Sequence, residues 1–277
     1  MVLFLLKISI KNKIFTYNIF GHERGVNIKK LNKILIFALV MFTIFFTSTQ
    51  IKSYASGWGF RKNENHEIPE IGKYQKDIDG TNSYYVGPNE KSVYLTFDAG
   101  YDNGVLDKIL DTLKEKNVKA TFFLTGDFVK RFKDLTIRIV SEGHIACNHS
   151  YSHRKITTLS KEELRKDLSK LEEEFYNLTA TKMVKYFRPP EGEFNRQSLL
   201  NVSELGYKTI FWSIAYKDWD TKNQSGTNYC VKTVMNNLHN GAIILMHSVS
   251  SSNQEALPII IDKIIQEGYT FKTVLDL

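Results

Sequence analysis

An α/β fold, a distorted (β/α) barrel with about seven parallel strands, is predicted by two features of the sequence. From Lys91 onward short β-prone runs alternate with helical ones. Polar residues also recur at the C-terminal end of one run after another. The strand candidates are SVYLTF (92–97), KATFFL (119–124), HIACN (144–148), VKYFR (184–188), KTIFWS (208–213), AIILM (242–246) and YTFKT (269–273). Seven strands within residues 91–277 fall one short of the eight-stranded α/β barrel, in which chemistry sits at the C-terminal strand ends. An open doubly wound sheet is the other arrangement this alternation allows.

The clearest helix spans 161–176. Ser160 and Glu163 are spaced as a capping box, and Leu164, Leu168, Leu171 and Phe175 fall on one face. Residues 57–90 are polar with little periodicity and read as an extended N-terminal arm leading into the domain at 91–277. Cys147 and Cys230 could pair outside the cell, but free, buried thiols are the simpler reading.

The formal net charge of +7 resides at the N-terminus. Residues 1–56 carry eight Lys/Arg and one acid, so the rest of the chain holds 29 of each sign. A neutral body gives no support to nucleic-acid binding. Lys29, Lys30 and Lys33 precede the apolar run ILIFALVMFTIFF (34–46), which small and polar residues follow. Residues 1–56 therefore read as a signal peptide or membrane anchor behind a basic segment, with Ser53 and Ala55 fitting a small-x-small cleavage site. With its flanks the run could reach a bilayer's width, the alternative being an uncleaved anchor.

The strand ends carry the chemistry. Asp98 follows the first strand, His149 and His153 the third, Arg188 ends the fourth, Asp218 lies beyond the fifth and His247 ends the sixth. In a barrel all six gather on one face, which one active site explains more economically than six separate structural roles. His149 and His153, four apart, can bring two imidazoles to one divalent, zinc-like ion, although such a pair beside a loop is also often only hydrogen-bonded. His247 has an imidazole suited to protonating a leaving group, and Asp218 could pair with it. Arg188, stiffened by Pro189 and Pro190, could clamp the Asp98 carboxylate with two hydrogen bonds. Trp219, Tyr101 and Phe194 could wall a sugar site, or be ordinary core and rim aromatics.

In order, TFDAG, HSYSH, RPPEG, DW and LMH resemble the five motifs of the polysaccharide deacetylase (NodB-like) carbohydrate esterases, over residues 91–277. GWGF near residue 57, DWDTKNQSG (218–226) and HSVSSSNQEAL (247–257) resemble one subgroup, the delta-lactam biosynthetic de-N-acetylases of the bacterial spore cortex. The resemblance implies a hydrolase that removes N-acetyl groups from N-acetylmuramic acid in peptidoglycan. Asp98 would be the general base, His247 the general acid, Asp218 its tuning partner and Arg188 the clamp on the base. His149 and His153 would hold the metal, with zinc the expected ion. Trp219, Tyr101 and Pro190 would meet the glycan strand. The implied location is extracytoplasmic, secreted or membrane-anchored, at the cell envelope or in the forespore intermembrane space.

One departure stands out. Typical members carry a second aspartate, a third metal ligand, directly after the base; here that residue is Ala99, which has no donor atom. Two histidines and waters make a looser site than three protein ligands. A non-catalytic glycan-binding barrel is the rival from another class, and a deacetylase acting on another N-acetyl sugar the rival within it. A conventional glycosidase would need two carboxylates flanking the scissile bond.

Overall fold

The computed structural model describes residues 6–10, 13–17, 23–26, 55–62 and 65–277. The chain divides into two units, the second beginning at Ser53. In the first, the strands Leu6–Ile10, Lys13–Tyr17 and Glu23–Val26 form a small antiparallel sheet that the sequence reading did not anticipate. The apolar run 34–46 and Ser53 lie outside the described residues. Among the described residues, no helix is long and apolar enough to cross a membrane.

In the second unit all seven expected strands form, and all run parallel. They are β3 (Ser92–Ala99), β4 (Thr121–Leu124), β5 (Ile145–Asn148), β6 (Val184–Phe187), β8 (Lys208–Ile210), β9 (Ala242–His247) and β10 (Thr270–Lys272). The arm supplies β1 (Ser56–Gly57), which pairs antiparallel with β7 (Glu193–Phe194). It also supplies β2 (Ser83–Tyr84), which joins the main sheet parallel to β8. The main sheet runs β9-β3-β4-β5-β6-β8-β2 and curls into a half-barrel. Just past β8 the chain reaches across to β9, where the Leu245 amide donates to the Ile214 carbonyl at 2.9 Å. β10 pairs with Ser92–Tyr94, the start of β3, and β4 with Thr96–Ala99, its end.

β3 is buried along its whole length, so its alternate residues serve two cores. Val93, Leu95, Phe97 and Ala99 pack outward against α1 (Leu106–Glu115) and α7 (Ser251–Gln266), through Leu110, Leu113, Leu257 and Ile261 among others. Tyr94 faces inward with Phe123, Cys147, Ile210 and Ile243. Each such aliphatic or aromatic side chain contributes about 1.5–3 kcal/mol when fully buried. Farther on, α4 (Lys161–Thr179) starts at the expected capping box and buries the four expected residues, Leu164, Leu168, Leu171 and Phe175. Cys147 and Cys230 are both buried and free.

The arm is anchored by Trp58, which lies in a cluster with Ile71, Ile78, Phe194, Leu199 and Phe211. Its ring stacks on Phe211 at 4.2 Å, and its Nε1 donates to the Trp212 carbonyl at 2.9 Å. Its backbone amide donates to the Gly192 carbonyl at 2.8 Å.

Candidate active site

A cleft of about 1030 Å³ opens over the C-terminal strand ends, and Asp98, His149, His153, His247, Tyr101 and Trp219 all line it. Arg188 and Asp218 are buried behind Asp98 and His247 as their partners. Pro190 is buried, beside the wall that Glu191 and Gly192 form. Phe194 belongs to the Trp58 cluster under that wall.

Asp98 sits inside β3, with its side chain on the same strand face as Thr96. Arg188, at the end of β6, is wholly buried, and its Nη1 donates to Asp98 Oδ1 at 2.8 Å. The other donors go elsewhere: Nη2 to Thr96 Oγ1 at 2.9 Å and Nε to the Ile210 carbonyl at 3.1 Å. The clamp is thus a single bond, with Thr96 taking the second branch of the fork. The guanidinium lies 4.1 Å from the centre of the Phe123 ring. Burial by itself would raise the Asp98 pKa; the positive charge of Arg188, with smaller contributions from His149 and His247, outweighs it and holds the carboxyl below its ordinary value. Asp98 is therefore ionised at neutral pH, with Oδ2 left over.

His149 continues from β5. Its Nδ1 lies 2.8 Å from the Arg188 carbonyl oxygen, which can only accept, so Nδ1 carries the proton. Burial first, and then the neighbouring His153, lower its pKa to about 4 against the pull of Asp98. The imidazole is thus neutral, and its Nε2 lone pair stands 3.5 Å from Asp98 Oδ2. Two lone-pair atoms this close, with no proton between them, are an arrangement that a cation relieves. His153 contributes a second ring, 5.1 Å from the first between centroids. These donors fit a divalent ion held by two imidazoles. Among the described residues, no group of three or more His, Cys, Asp or Glu side chains could hold a metal. Ala99 is fully buried in the core on the helix side of β3.

His247 ends β9. Its Nδ1 donates to Asp218 Oδ1 at 2.6 Å, and its backbone amide donates to Asp218 Oδ2 at 2.8 Å. About a quarter of the His247 side chain is exposed. Burial acts to lower its pKa, but the Asp218 hydrogen bond and the charges of Asp218 and Asp98 together raise it above the ordinary histidine value. Asn253, on α7 and fully buried, donates from Nδ2 to Asp218 Oδ2 at 2.6 Å and accepts from the Tyr216 hydroxyl at 2.7 Å. Sequence reasoning missed Asn253 and Thr96. Thr96 was recoverable, because it lies two residues before Asp98 on the same strand face; Asn253 carried no such signal.

An ionised carboxylate and an imidazole of raised pKa in one cleft that also offers imidazole lone pairs are groups that a hydrolase could use. The profile of the family described as Polysaccharide deacetylase matches residues 85–210. The chain is 42% identical, over 222 residues, to the peptidoglycan-N-acetylmuramic acid deacetylase PdaA of Bacillus subtilis strain 168, covering 79% of this chain and 84% of that one. The solved structure of Bacillus subtilis PdaA, a family 4 carbohydrate esterase, superposes with a TM-score of 0.78, covering 80% of this chain and 96% of that one. A family 4 carbohydrate esterase from Bacillus anthracis is 40% identical with a TM-score of 0.68, over 81% and 96% of the two chains. A wild-type pseudoenzyme of the same family from Bacillus anthracis is 35% identical with a TM-score of 0.65, over 70% and 68%. The chain belongs to the polysaccharide deacetylase family and is a hydrolase acting on amide bonds.

Proposed function

We propose that the chain de-N-acetylates peptidoglycan at N-acetylmuramic acid, in a muramic delta-lactam pathway of the spore cortex. The observation that carries the reading is the convergence of Asp98, His149, His153 and His247 in one cleft with exposed Trp219 and Tyr101. The similarity to PdaA, whose name specifies the muramic sugar, supports the substrate. His149 and His153 would hold the divalent ion, zinc by donor type. When bound there it would supply Lewis acidity toward the acetamide oxygen and acidify water. Asp98 takes the proton from the attacking water, while Arg188 keeps the carboxylate ionised and oriented. His247 delivers a proton to the sugar nitrogen as the C–N bond breaks, and Asp218 holds the imidazole by Nδ1 so that Nε2 faces the reaction. Acetate leaves, and the amine freed on a muramic residue lies beside the lactyl carboxyl, placed for lactam closure. The basic and apolar pattern within residues 1–56 would carry the domain across the membrane, as signal or anchor.

A second reading, a glycan-binding barrel without turnover, draws on the similarity to a wild-type pseudoenzyme of the family more than on Ala99, whose side chain lies in the helix-side core of β3. One experiment decides: acetate release from peptidoglycan with and without stem peptides, before and after chelation. Release from peptide-free strands that a chelator abolishes is expected. No release from any strand, with glycan binding retained, would establish the second reading.

A further inference from the structure

The segment that carries both histidines departs from ordinary backbone at two non-glycine residues. Ser150 has φ +69° and His153 φ +53°, each in the left-handed region that costs an L-residue roughly 1–2 kcal/mol. Such a path persists only if its surroundings impose it. Some ties come from the strand ends: the His149 amide donates to the Leu124 carbonyl at 2.9 Å, and the Ser150 amide to Asn148 Oδ1 at 2.8 Å.

The densest tie comes from α4. Asp167 accepts four hydrogen bonds from the three residues between the histidines. Oδ2 takes the Ser150 hydroxyl at 2.7 Å and the Tyr151 amide at 2.8 Å; Oδ1 takes the Ser152 amide at 3.1 Å and the Ser152 hydroxyl at 2.5 Å. Two consecutive backbone N–H groups and two hydroxyls thus converge on one carboxylate. The same helix continues the contact through Tyr151: Lys170 Nζ lies 4.1 Å from its ring centroid, and Glu174 accepts from its hydroxyl at 3.0 Å. Asp167, Lys170 and Glu174 stand at i, i+3 and i+7, one stripe of the helix.

We propose that Asp167 is a positioning residue for the histidine pair. Its carboxylate holds residues 150–152 between the two left-handed residues, Ser150 and His153, and so sets the separation at which His149 and His153 share an ion. The proposal rests on the metal reading given above. Asp167 acts entirely through the loop, so its removal changes how well the two imidazoles converge without removing a ligand. Partners behind metal ligands commonly alter affinity by 10- to 100-fold.

The test measures zinc affinity by titration calorimetry, and the visible absorption of the cobalt(II) form, for the full chain, Asp167→Ala, Asp167→Asn and the double variant Ser150→Ala/Ser152→Ala. Folding is monitored by thermal melting. The expected result is at least about a tenfold loss of zinc affinity in folded Asp167→Ala, with an altered cobalt spectrum, and a smaller loss in the other two. A purely structural role would lower the melting temperature and leave both readouts unchanged; that outcome in a folded variant overturns the proposal. If Asp167→Ala does not fold, the double variant decides, because it deletes two of the four bonds and keeps the carboxylate on the backbone amides. Wild-type affinity there overturns the proposal. Hydrogen exchange at the Tyr151 and Ser152 amides separates this failure from that of the metal reading. If the wild-type chain binds no zinc, the metal pair is wrong and the proposal falls with it, whereas faster exchange in Asp167→Ala would still show a loop clamp of another purpose.

Discussion

Asp98 and His247 are register partners on adjacent parallel strands. Residues opposite one another in a parallel pair project to the same face, so the proposed base and acid enter the cleft side by side although 149 residues separate them in sequence. The backbone reinforces this, since the Ser248 amide donates to the Asp98 carbonyl at 3.2 Å. Behind them two buried partners set opposite tendencies: Arg188 keeps Asp98 ready to accept a proton, and Asp218 keeps His247 ready to give one.

The two substitutions that remove these groups are expected to differ in stability while agreeing in activity. Asp98→Asn and His247→Ala should each lower kcat/KM for deacetylation at least about a hundredfold. Asp98→Asn also leaves the wholly buried Arg188 without its counter-charge, which costs on the order of 3–5 kcal/mol, whereas His247 is partly exposed and its loss should destabilise less. Acetate release and denaturant melts check both halves; near-normal turnover in either folded variant would refute the assignment.

Asp218→Asn tests the tuning of the acid. His247 must be protonated to serve, so the rate holds below its pKa and falls as pH rises through it. That pKa is raised in the folded protein chiefly by the Asp218 hydrogen bond and charge, against burial. Removing the charge should move the alkaline limb of the kcat/KM profile to lower pH, with the acid limb in place. An unmoved alkaline limb would mean that another group sets it.

The strands and the facing of the site were legible because burial on both sides writes near-continuous apolar runs, and because the candidate site residues lie at or near their C-terminal ends. His247 ends its strand as expected, whereas Asp98, expected just after β3, proved to lie within it, its backbone still pairing with that of His247. The single-bond geometry of Arg188 was not legible: Thr96 on β3 and the Ile210 carbonyl on β8 compete for its donors only once the curled sheet brings β3, with two strands between it and β6, round to the same interior. Nor was the packing of the arm, whose polar sequence hides a few aromatic anchors spaced without a period.

Acid should destabilise the protein through a histidine outside the cleft. His144 accepts the Ala120 amide at Nδ1, and its Nε2 has no hydrogen-bond partner. Burial above all, with Lys119 and Arg138 adding and Glu142 opposing, lowers its pKa to about 4. The unfolded chain therefore binds this proton first. The contribution of His144 to stability is complete above about pH 6.5, declines as pH falls toward 4, and amounts to roughly 3 kcal/mol at most. His144→Asn keeps an acceptor near Nδ1 and should flatten the dependence of melting temperature on pH across that window. His149 acts with the same sign in the metal-free chain, so part of the slope should remain.

The final prediction concerns the arm as a support for the cleft. Trp58 is not among the residues that line the cleft, yet its indole stacks on Phe211, its Nε1 holds the Trp212 carbonyl and its amide holds the Gly192 carbonyl. Trp212 and Gly192 both line the cleft. Gly192 also has φ +63°, and a Cβ there would stand 2.7 Å from the Trp212 ring, so wall and arm are fitted at close contact. Trp58→Ala should cost about 3–5 kcal/mol of stability, the usual range for emptying a large aromatic site. Because the wall loosens while Asp98 and His247 keep their own partners, the folded fraction should show a raised KM for glycan with kcat little changed. Trp58→Phe, which keeps the stacking and loses the Nε1 donor, should recover most of the stability. A kcat loss as large as that of His247→Ala, in a Trp58→Ala protein shown to be folded, would mean that the arm acts on the acid–base pair itself.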